Sequence, residues 1–465
     1  MNYTKTIKTI SLALVLLITF TSCSDDDNNV VTPQEKNIVE LALETPELTS
    51  LVAALTAADG NLVNVLPPTN AAFTAFLNAN GFASLDDVPT DVLSQVLLNH
   101  VIMADITSSD LVSLGSGYAA GSATNADGDN ISIYFNTSNG VRFNNTASVS
   151  TADIDASNGT IHIVDEVIGL PDIVDHAIAN PEFSSLVAAL GAADGNLVSA
   201  LQGVGPFTVL APNNDAFDTF LDGTPLGSVD TAILSQILLN HVISGAIKAE
   251  YLIDQGAGYP KTLATGAGGN AMSIYFNTSD GVKFNGISSV IQADVVGTNG
   301  IIHAVNTVID IPTVVTFAAA DPNFSTLVTA LTELTPNTDF VSILSRTEAG
   351  SPIDGINPDF TVFAPTNDAF AALESVPGET VLTQVLLHHV ISEANIVSGD
   401  LNSPGDTTAA TLQGDNITIT LPGSGDNIAT ITDGSGVSDI GIIAVDVQAG
   451  NGVIHVINKV MIPNL

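Results

Sequence analysis

This chain of 465 residues has no tryptophan, a single cysteine and few basic side chains. Its single cysteine excludes a disulfide bond within the chain. Nine Lys and Arg residues stand against 49 Asp and Glu residues, which gives a formal net charge of −40. Nucleic acid is therefore excluded as a partner, because a phosphate backbone is bound by clustered cations. The same charge would repel anionic membrane surfaces and acidic glycans unless divalent cations such as calcium bridge them.

Aromatic residues are also scarce, at 5% of the chain. Sugar-binding surfaces usually present aromatic rings, so this scarcity counts against glycan capture. The sequence has no G-x-S-x-G, no phosphate loop and no dinucleotide fingerprint, and we expect no catalytic activity. What is present is enough apolar sequence, 45% of the residues, to build folded cores.

The N-terminal segment indicates export. Two lysines precede the apolar run Ile10–Phe20, which is too short to span a bilayer but fits a secretory signal. Cys23 follows, so the segment resembles a bacterial lipoprotein signal, with residues 1–22 as the signal peptide and Cys23 as the lipidated residue. Residues 23–36 predict an acidic, flexible tether. Their acidic run resembles Bacteroidetes-type lipoproteins, which implies a lipid anchor in the outer membrane, facing the cell exterior. A soluble secreted protein with a free thiol is the alternative.

Two short histidine phrases recur three times and predict the domain organisation. The first phrase reads LLNHVI or LLHHVI, and the second has the form NG-x-I-H. Their histidines are His100, His241 and His389 in the first phrase and His162, His303 and His455 in the second. The interval of about 140 residues indicates tandem globular domains, since solenoid repeats are roughly 20–50 residues long. We place the three domains at residues 37–170, 171–312 and 313–465.

Within each repeat the periodicity predicts helices first and β-structure later. A capping residue and a proline begin an amphipathic stripe, as in residues 180–190, and a further helix ends at the first histidine. Residues 133–144 and 274–285 carry Asn-Gly or Asp-Gly between β-rich arms, which predicts a hairpin in repeats 1 and 2. Repeat 3 has a different run here and predicts a longer connection. Repeat 1 is shortened near its first strand.

The six repeated histidines lie on apolar stripes of helices or in apolar strands. We therefore expect neutral core residues with hydrogen-bonded ring nitrogens, and no bound metal. A zinc site that joins the two histidines of one domain is the alternative, with Asp153, Asp294 and Asp446 as further ligand candidates. The run Asn125-Ala-Asp127-Gly-Asp129 has carboxylates at alternate positions, as calcium loops do, but it lacks the rest of such a loop and favours a turn.

Together these phrases resemble the fasciclin (FAS1) domain family. The resemblance rests on FTVLAPNNDAF (207–217), FTVFAPTNDAF (360–370) and the closing histidine phrases, and it covers about residues 37–465. It implies an α+β fold of three tandem domains, each a wedge-shaped β-sandwich flanked by short helices. The family's central Tyr-His phrase, linked to partner recognition in animal members, aligns with the first histidine phrase, although its tyrosine is replaced here. The implied binding candidates are Asn99, His100, Asn240, His241, His388 and His389, whereas His162, His303 and His455 belong to the structural motif.

The resemblance implies a function in adhesion. We expect a lipid-anchored cell-surface protein whose three domains make several weak contacts with matrix or other cells. Its partners would be extracellular or cell-surface proteins or polysaccharides, and it would meet the membrane only through its N-terminal lipid. Two alternatives stay open: a glycan-capturing accessory lipoprotein of an outer-membrane uptake system, and a passive structural stalk.

Overall fold

The computed structural model describes residues 36, 37, 40, 41, 44, 64–350 and 352–465. The signal peptide, Cys23, nearly all of the tether and the opening helix predicted for repeat 1 lie outside these residues. Within the described part of the chain, no helix combines the length and the apolar character needed to cross a membrane.

Three β-sheets follow one another along the chain, one in each repeat, which confirms the predicted series of α+β domains. Domain 1 contains β1 (Asn64–Val65), β2 (Val101–Ile102), β3 (Ser116–Thr124), β4 (Asn130–Asn136), β5 (Arg142–Phe143), β6 (Ala147–Ala156) and β7 (Gly159–Val164). Domain 2 contains β8 (Phe207–Pro212), β9 (Val242–Ser244), β10 (Ala257–Gly258), β11 (Lys261–Thr265), β12 (Ala271–Ser273), β13 (Phe276–Asn277), β14 (Lys283–Phe284), β15 (Ser288–Gly297) and β16 (Gly300–Val305). Domain 3 contains β17 (Phe360–Pro365), β18 (Val390–Ser392), β19 (Gly405–Ala410), β20 (Asn416–Leu421), β21 (Ala429–Thr432), β22 (Ile440–Ala449) and β23 (Gly452–Ile457).

Short helices accompany each sheet. Among the described residues, the α-helices of domain 1 are α1 (Asn70–Ala79), α2 (Thr90–Leu98) and α3 (Ser108–Leu114). Those of domain 2 are α4 (Ile173–Ala179), α5 (Ser184–Ala192), α6 (Leu197–Leu201), α7 (Asn214–Leu221), α8 (Thr231–Asn240) and α9 (Ala249–Gln255). Those of domain 3 are α10 (Val314–Ala320), α11 (Ser325–Thr332), α12 (Phe340–Leu344), α13 (Asn367–Ala371) and α14 (Glu379–His388). Single 3₁₀ turns lie at Leu85–Asp87, Pro181–Phe183, Leu226–Ser228, Ala267–Gly269, Pro322–Phe324 and Ser398–Asp400.

The amphipathic stripe of each of the last two repeats begins one turn earlier than its α-helix. Pro181 starts a 3₁₀ turn, and α5 begins only at Ser184. Asn180 caps this turn, because its side chain accepts a hydrogen bond from the Glu182 N–H. The predicted cap and proline are therefore confirmed, and Pro322 repeats the arrangement before α11.

An equivalent strand, which we call the central strand (β1, β8 or β17), lies between two neighbouring strands in all three sheets. The strand of the FTVLAP or FTVFAP phrase lies parallel to the strand of the second histidine phrase, so that β8 pairs with β16 and β17 pairs with β23. His303 lies beside Leu210 in this register, and His455 lies beside Phe363. The strands after the first histidines, β9 and β18, pair antiparallel with the other edge of β8 and β17. Each central strand therefore lies between the two histidine-bearing segments of its domain. In domain 1 the equivalent β1 pairs with β2 and β7, and the sheet closes into a barrel.

The first strand of repeat 1 ends earlier than its counterparts, which agrees with the predicted shortening of this part of the repeat. The described part of β1 ends at Val65, whereas β8 continues to Pro212. Pro67 follows two residues after Val65, at the position that Ala211 occupies in domain 2. Proline has no backbone N–H to donate, so the regular ladder of hydrogen bonds is interrupted here and continues only as an isolated bridge between Pro68 and Val164.

The predicted hairpins are confirmed in domains 1 and 2, with longer turns than an Asn-Gly pair alone requires. Asn136 pairs with Arg142 and Asn277 pairs with Lys283, which leaves residues 137–141 and 278–282 as the connections. In domain 3, residues 422–428 connect β20 to β21, which is the longer connection that the sequence predicted.

Alternation along the central strand builds two apolar cores in domain 2. Val209 and Ala211 face a core shared with the helices, whereas Leu210 faces a second core on the other side of the strand. The helix-side cores also continue between domains. Tyr118 of domain 1 packs against the helix-side core of domain 2, and Tyr275 of domain 2 belongs to that of domain 3.

Candidate functional site

The first histidine of each repeat is a core residue with both ring nitrogens hydrogen-bonded. His241 and His389 come directly after α8 and α14, and His100 follows α2 after one capping residue, Asn99. At most 2% of the surface of each histidine is exposed. Each Nδ1 donates to the carbonyl four residues earlier, that of Val96, Ile237 or Val385, at 2.8, 2.8 and 2.7 Å. Each Nε2 accepts from the N–H of Ile168, Ile309 or Met461 at 2.9 Å. The ring thus links the end of a helix to the closing segment of its domain.

Burial determines the charge of these three rings. It lowers the pKa of each from 6.5 to about 4, while the hydrogen bond to the helix carbonyl acts in the opposite direction. The rings are therefore neutral at neutral pH. This agrees with the tautomer that the hydrogen bonds require, a proton on Nδ1 and a lone pair on Nε2.

The second histidines are buried in β7, β16 and β23 and also bond to backbone groups. In His162, His303 and His455, Nε2 donates to the carbonyl of Ile106, Ile247 or Ile396 at 2.9, 2.8 and 2.8 Å. The Nδ1 atoms of His162 and His303 accept from the N–H groups of Asp153 and Asp294, both at 3.2 Å. In His455 the Nδ1 atom has no hydrogen-bond partner among the described residues. Burial lowers the pKa of His303 and His455.

The three aspartates considered as zinc ligands cap other elements instead. The carboxylates of Asp153, Asp294 and Asp446 accept from the N–H of Ser108, Ala249 or Ser398 at 2.7, 3.0 and 2.7 Å. These N–H groups begin α3, α9 and the turn Ser398–Asp400, where a carboxylate is favourable. All three aspartates have positive φ, of 54°, 57° and 61°. In domains 1 and 2 the ring nitrogens are bonded to backbone groups, so the zinc alternative lacks free nitrogen ligands there; in domain 3 the Nδ1 atom of His455 is the exception. No group of three metal-ligating side chains is found in the chain as described.

The acidic run after β3 forms a turn. The Asn125 side chain accepts from the N–H groups of Asp127 and Asp129 at 3.0 and 2.9 Å. Asp129 also forms an ion pair with Lys248 of domain 2. Asp129, one of the two aspartates that suggested a calcium loop, therefore contacts the neighbouring domain.

The residues at the replaced tyrosine position are buried as well. Asn99 donates to the Gly169 carbonyl at 2.7 Å, and Asn240 donates to the Asp310 carbonyl at 3.1 Å. His388 contacts the Thr411 hydroxyl at 3.0 Å and accepts from the Gly434 N–H at 3.1 Å. All three have 0% of their surface exposed. The expectation of binding by Asn99, His100, Asn240, His241, His388 and His389 is revised here, because a partner cannot reach side chains that are 0–2% exposed.

The contacts between domains 1 and 2 form a feature that the sequence reasoning missed. The Tyr118 hydroxyl accepts from the Asn180 side chain at 3.2 Å, and its ring meets His176 edge-on with centroids 5.7 Å apart. The Val296 N–H donates to the Ser132 hydroxyl oxygen at 2.9 Å. These contacts join β3 and β4 of domain 1 to α4 and β15 of domain 2. We call this set of contacts the first junction.

Domains 2 and 3 meet through an equivalent set of contacts, the second junction. The Tyr259 hydroxyl donates to the Asp321 carboxylate at 2.8 Å, and its ring meets Phe317 edge-on, again with centroids 5.7 Å apart. The Gln448 N–H donates to the Ser273 hydroxyl oxygen at 3.0 Å. A tyrosine, a partner ring and a serine therefore occupy the same roles at both junctions.

A sequence signal for the junctions exists. Gly-Tyr follows the first histidine by the same interval in repeats 1 and 2, at Tyr118 and Tyr259, and a serine precedes Ile-Tyr-Phe-Asn in both. Repeat 3 has neither pattern; Thr418 and Thr420 lie in its β20. The signal identifies repeated residues, but it does not identify the surface of the next domain that they contact.

These features define a tandem array of α+β domains, in which buried histidines support the domain cores and repeated junctions connect them. The chain belongs to the Fasciclin domain family, whose sequence pattern matches residues 43–171, 181–312 and 322–463.

Several curated proteins are similar to this chain. Human periostin is 27% identical over 432 residues, which cover 90% of this chain and 45% of periostin. The pig transforming growth factor-beta-induced protein ig-h3 is 27% identical over 454 residues, which cover 94% of this chain and 58% of that protein. Protein sll1483 of Synechocystis sp. is 42% identical over 145 residues, 30% of this chain and 72% of that protein. The chain thus spans about half the length of the first two relatives.

Proposed function

We propose that this chain is a lipid-anchored, non-catalytic cell-surface protein that attaches to matrix or to other cells through its three domains. The observation that carries the proposal is the repetition of the junction. Tyr118 and Tyr259 make the same ring contact, and Ser132 and Ser273 accept the same backbone hydrogen bond.

Repeated junctions favour multivalent binding. When modules are held at defined spacing, the second and third contacts become intramolecular, and avidity can exceed single-site affinity by roughly 10²–10⁴. Fixed junctions also reduce the conformational entropy lost when several domains bind together. The array can therefore work with weak sites on each domain.

Recognition would use exposed surfaces, since the central-motif side chains are buried. The net charge of −40 favours partners with basic surfaces, or contacts bridged by calcium. Extracellular proteins and polysaccharides are both compatible with this charge, and we propose them as the partner class.

The anchor and the adhesive role are tested separately. Metabolic labelling with a radioactive or clickable fatty acid should mark the wild-type chain and fail in Cys23→Ala. Labelling that persists in the variant would reject the anchor without bearing on adhesion.

For adhesion, cells that carry or lack the protein are compared for attachment to a matrix layer and to each other, with and without calcium. Deletion should reduce attachment by about tenfold or more if avidity operates. Unchanged attachment would indicate a passive stalk. Saturable binding of the purified chain on a glycan array would instead support glycan capture.

A variant pair tests whether the junction matters. In Gly266→Val the new Cβ atom would lie 2.2 Å from the Ala449 carbonyl oxygen across the second junction, so the junction must open. Gly227→Val is the matched control, because a Cβ atom there has no neighbour within 4 Å. At equal surface levels, attachment should fall in Gly266→Val and stay at the wild-type level in Gly227→Val.

A further inference from the structure

Domain 3 contains an apolar cavity that the adhesive function does not explain. It has a volume of about 240 Å³ and lies between the helices α10, α11 and α12 and the strands β17, β18 and β23. The rings of Phe324 and Phe340 form part of its wall, and the floor includes Ile454 of β23. The exposed side chains of Thr332 and Val341 lie at its edge. The cavity is thus open to small molecules from the helical side of the domain.

The same place in domain 2 is divided into two smaller cavities. The one between α4, α5, α6 and the strands β8, β9 and β16 has a volume of about 20 Å³, and an adjoining one beside Leu197 has about 100 Å³. In the smaller of the two, Ile173 corresponds to the smaller Val314 of domain 3, and no phenylalanine lines it. Residues 333–339 join α11 to α12, whereas the shorter segment 193–196 joins α5 to α6. A single cavity of about 240 Å³ is therefore found in domain 3 and not at the same place in domain 2.

The wall of the cavity selects for uncharged molecules. His389 is its only ring with nitrogen atoms, and both nitrogens are already bonded to backbone groups. The Thr332 hydroxyl donates to the Val328 carbonyl at 2.8 Å. No lysine or arginine lines the cavity, so a carboxylate or phosphate on the ligand would have no countercharge.

We propose that this cavity binds a small neutral aromatic molecule. A cavity of about 150 Å³ lined by apolar side chains binds benzene, so a volume of about 240 Å³ suits a substituted ring or two fused rings. The two phenylalanine rings favour an aromatic ligand, because aromatic pairs gain from edge-to-face and offset-stacked contacts. This proposal is independent of the adhesive function.

Naphthalene is the probe for a direct test. The mature three-domain chain, labelled at Ile, Leu and Val methyl groups with ¹³C, is titrated with naphthalene and followed by NMR. The methyl signals of Val314 and Leu344 should shift saturably. Those of Ile173 and Leu201, at the equivalent place in domain 2, serve as the internal control and should stay unchanged. No saturable shift, or equal shifts in both domains, would overturn the proposal.

A pair of equivalent alanines provides the matched variants. Ala318→Leu fills the domain 3 cavity and should weaken naphthalene binding by about tenfold or more, without lowering the melting temperature of domain 3. Ala177→Leu adds the same atoms where only about 20 Å³ is free, so it should lower the stability of domain 2 and leave binding unchanged.

If Ala318→Leu fails to fold, Val328→Phe, which narrows the cavity from α11, replaces it in the same titration. Binding that survives the folded variant at full strength would place naphthalene elsewhere and overturn the assignment.

Discussion

Acid should destabilise domain 2 through a histidine at the first junction, and His176→Phe should remove that effect. His176 is 0% exposed, and its Nε2 donates to the Val296 carbonyl at 3.1 Å. Its Nδ1 has no hydrogen-bond partner among the described residues. Phe317 occupies the equivalent place at the second junction and makes the same edge-on ring contact, so a phenyl ring should fit at position 176.

The expected size of the effect follows from the pKa of His176. Burial lowers this pKa from 6.5 to about 4 in the folded protein, with the Val296 hydrogen bond acting in the opposite direction. The unfolded chain binds the proton more tightly, so acid favours unfolding. The stability contributed by the neutral ring is complete above pH 6.5 and is lost as the pH falls towards 4. Between about pH 7 and pH 5 the loss is about 2 kcal/mol.

Urea unfolding at about pH 7 and pH 5, followed by the methyl signal of Ile302 in domain 2, measures this effect. The difference in unfolding free energy between His176→Phe and the wild type should move by about 2 kcal/mol in favour of the variant at the lower pH. The signal of Ile454 in domain 3 serves as the control and should not respond to the substitution. An equal difference at both pH values would refute the reasoning, since it would mean that His176 is accessible to protons in the folded state.

Four further substitutions at three positions test other contacts, each by thermal unfolding with domain-specific methyl signals. His241→Leu should destabilise domain 2 by about 2–4 kcal/mol, because the buried Ile309 N–H loses its acceptor; a loss below about 0.5 kcal/mol would contradict the structural role. Asp294→Ala should cost about 1 kcal/mol through loss of the cap on α9, whereas Asp294→Asn, which tolerates positive φ, should cost less. Tyr259→Phe should cost about 1 kcal/mol, because the Asp321 carboxylate loses a hydrogen bond; an unchanged melting temperature would indicate that water replaces it.

Local patterns predicted most of the elements correctly. The apolar positions before His241 predicted the helix that the structure places at Thr231–Asn240, and the closing phrase predicted β16. Such predictions succeed because a helix or strand places residues on one face at a fixed spacing, which the sequence displays directly. The burial of the histidines followed from the same register.

Sequence patterns did not predict the roles of residues at contacts between distant segments. The first histidine phrase aligned with a recognition motif, yet Asn240 and His241 are covered by the closing segment near Ile309. Asp294 recurred at a position that suggested a metal ligand, but it caps α9. In both cases the residue type allowed two roles, and the choice depends on which atoms lie within hydrogen-bond distance.

The sequence by itself determined the repeat, the α+β class, the order of the main elements and the strongly acidic character, because each is recorded in composition or in local spacing. Only the tertiary structure decided which surfaces join the domains and where space is left inside them. Tyr118 meets His176 across a junction, and domain 3 has one cavity of about 240 Å³ where domain 2 has two, of about 20 and 100 Å³. Both results depend on how side chains far apart in the chain pack together, and small differences in volume decide that packing.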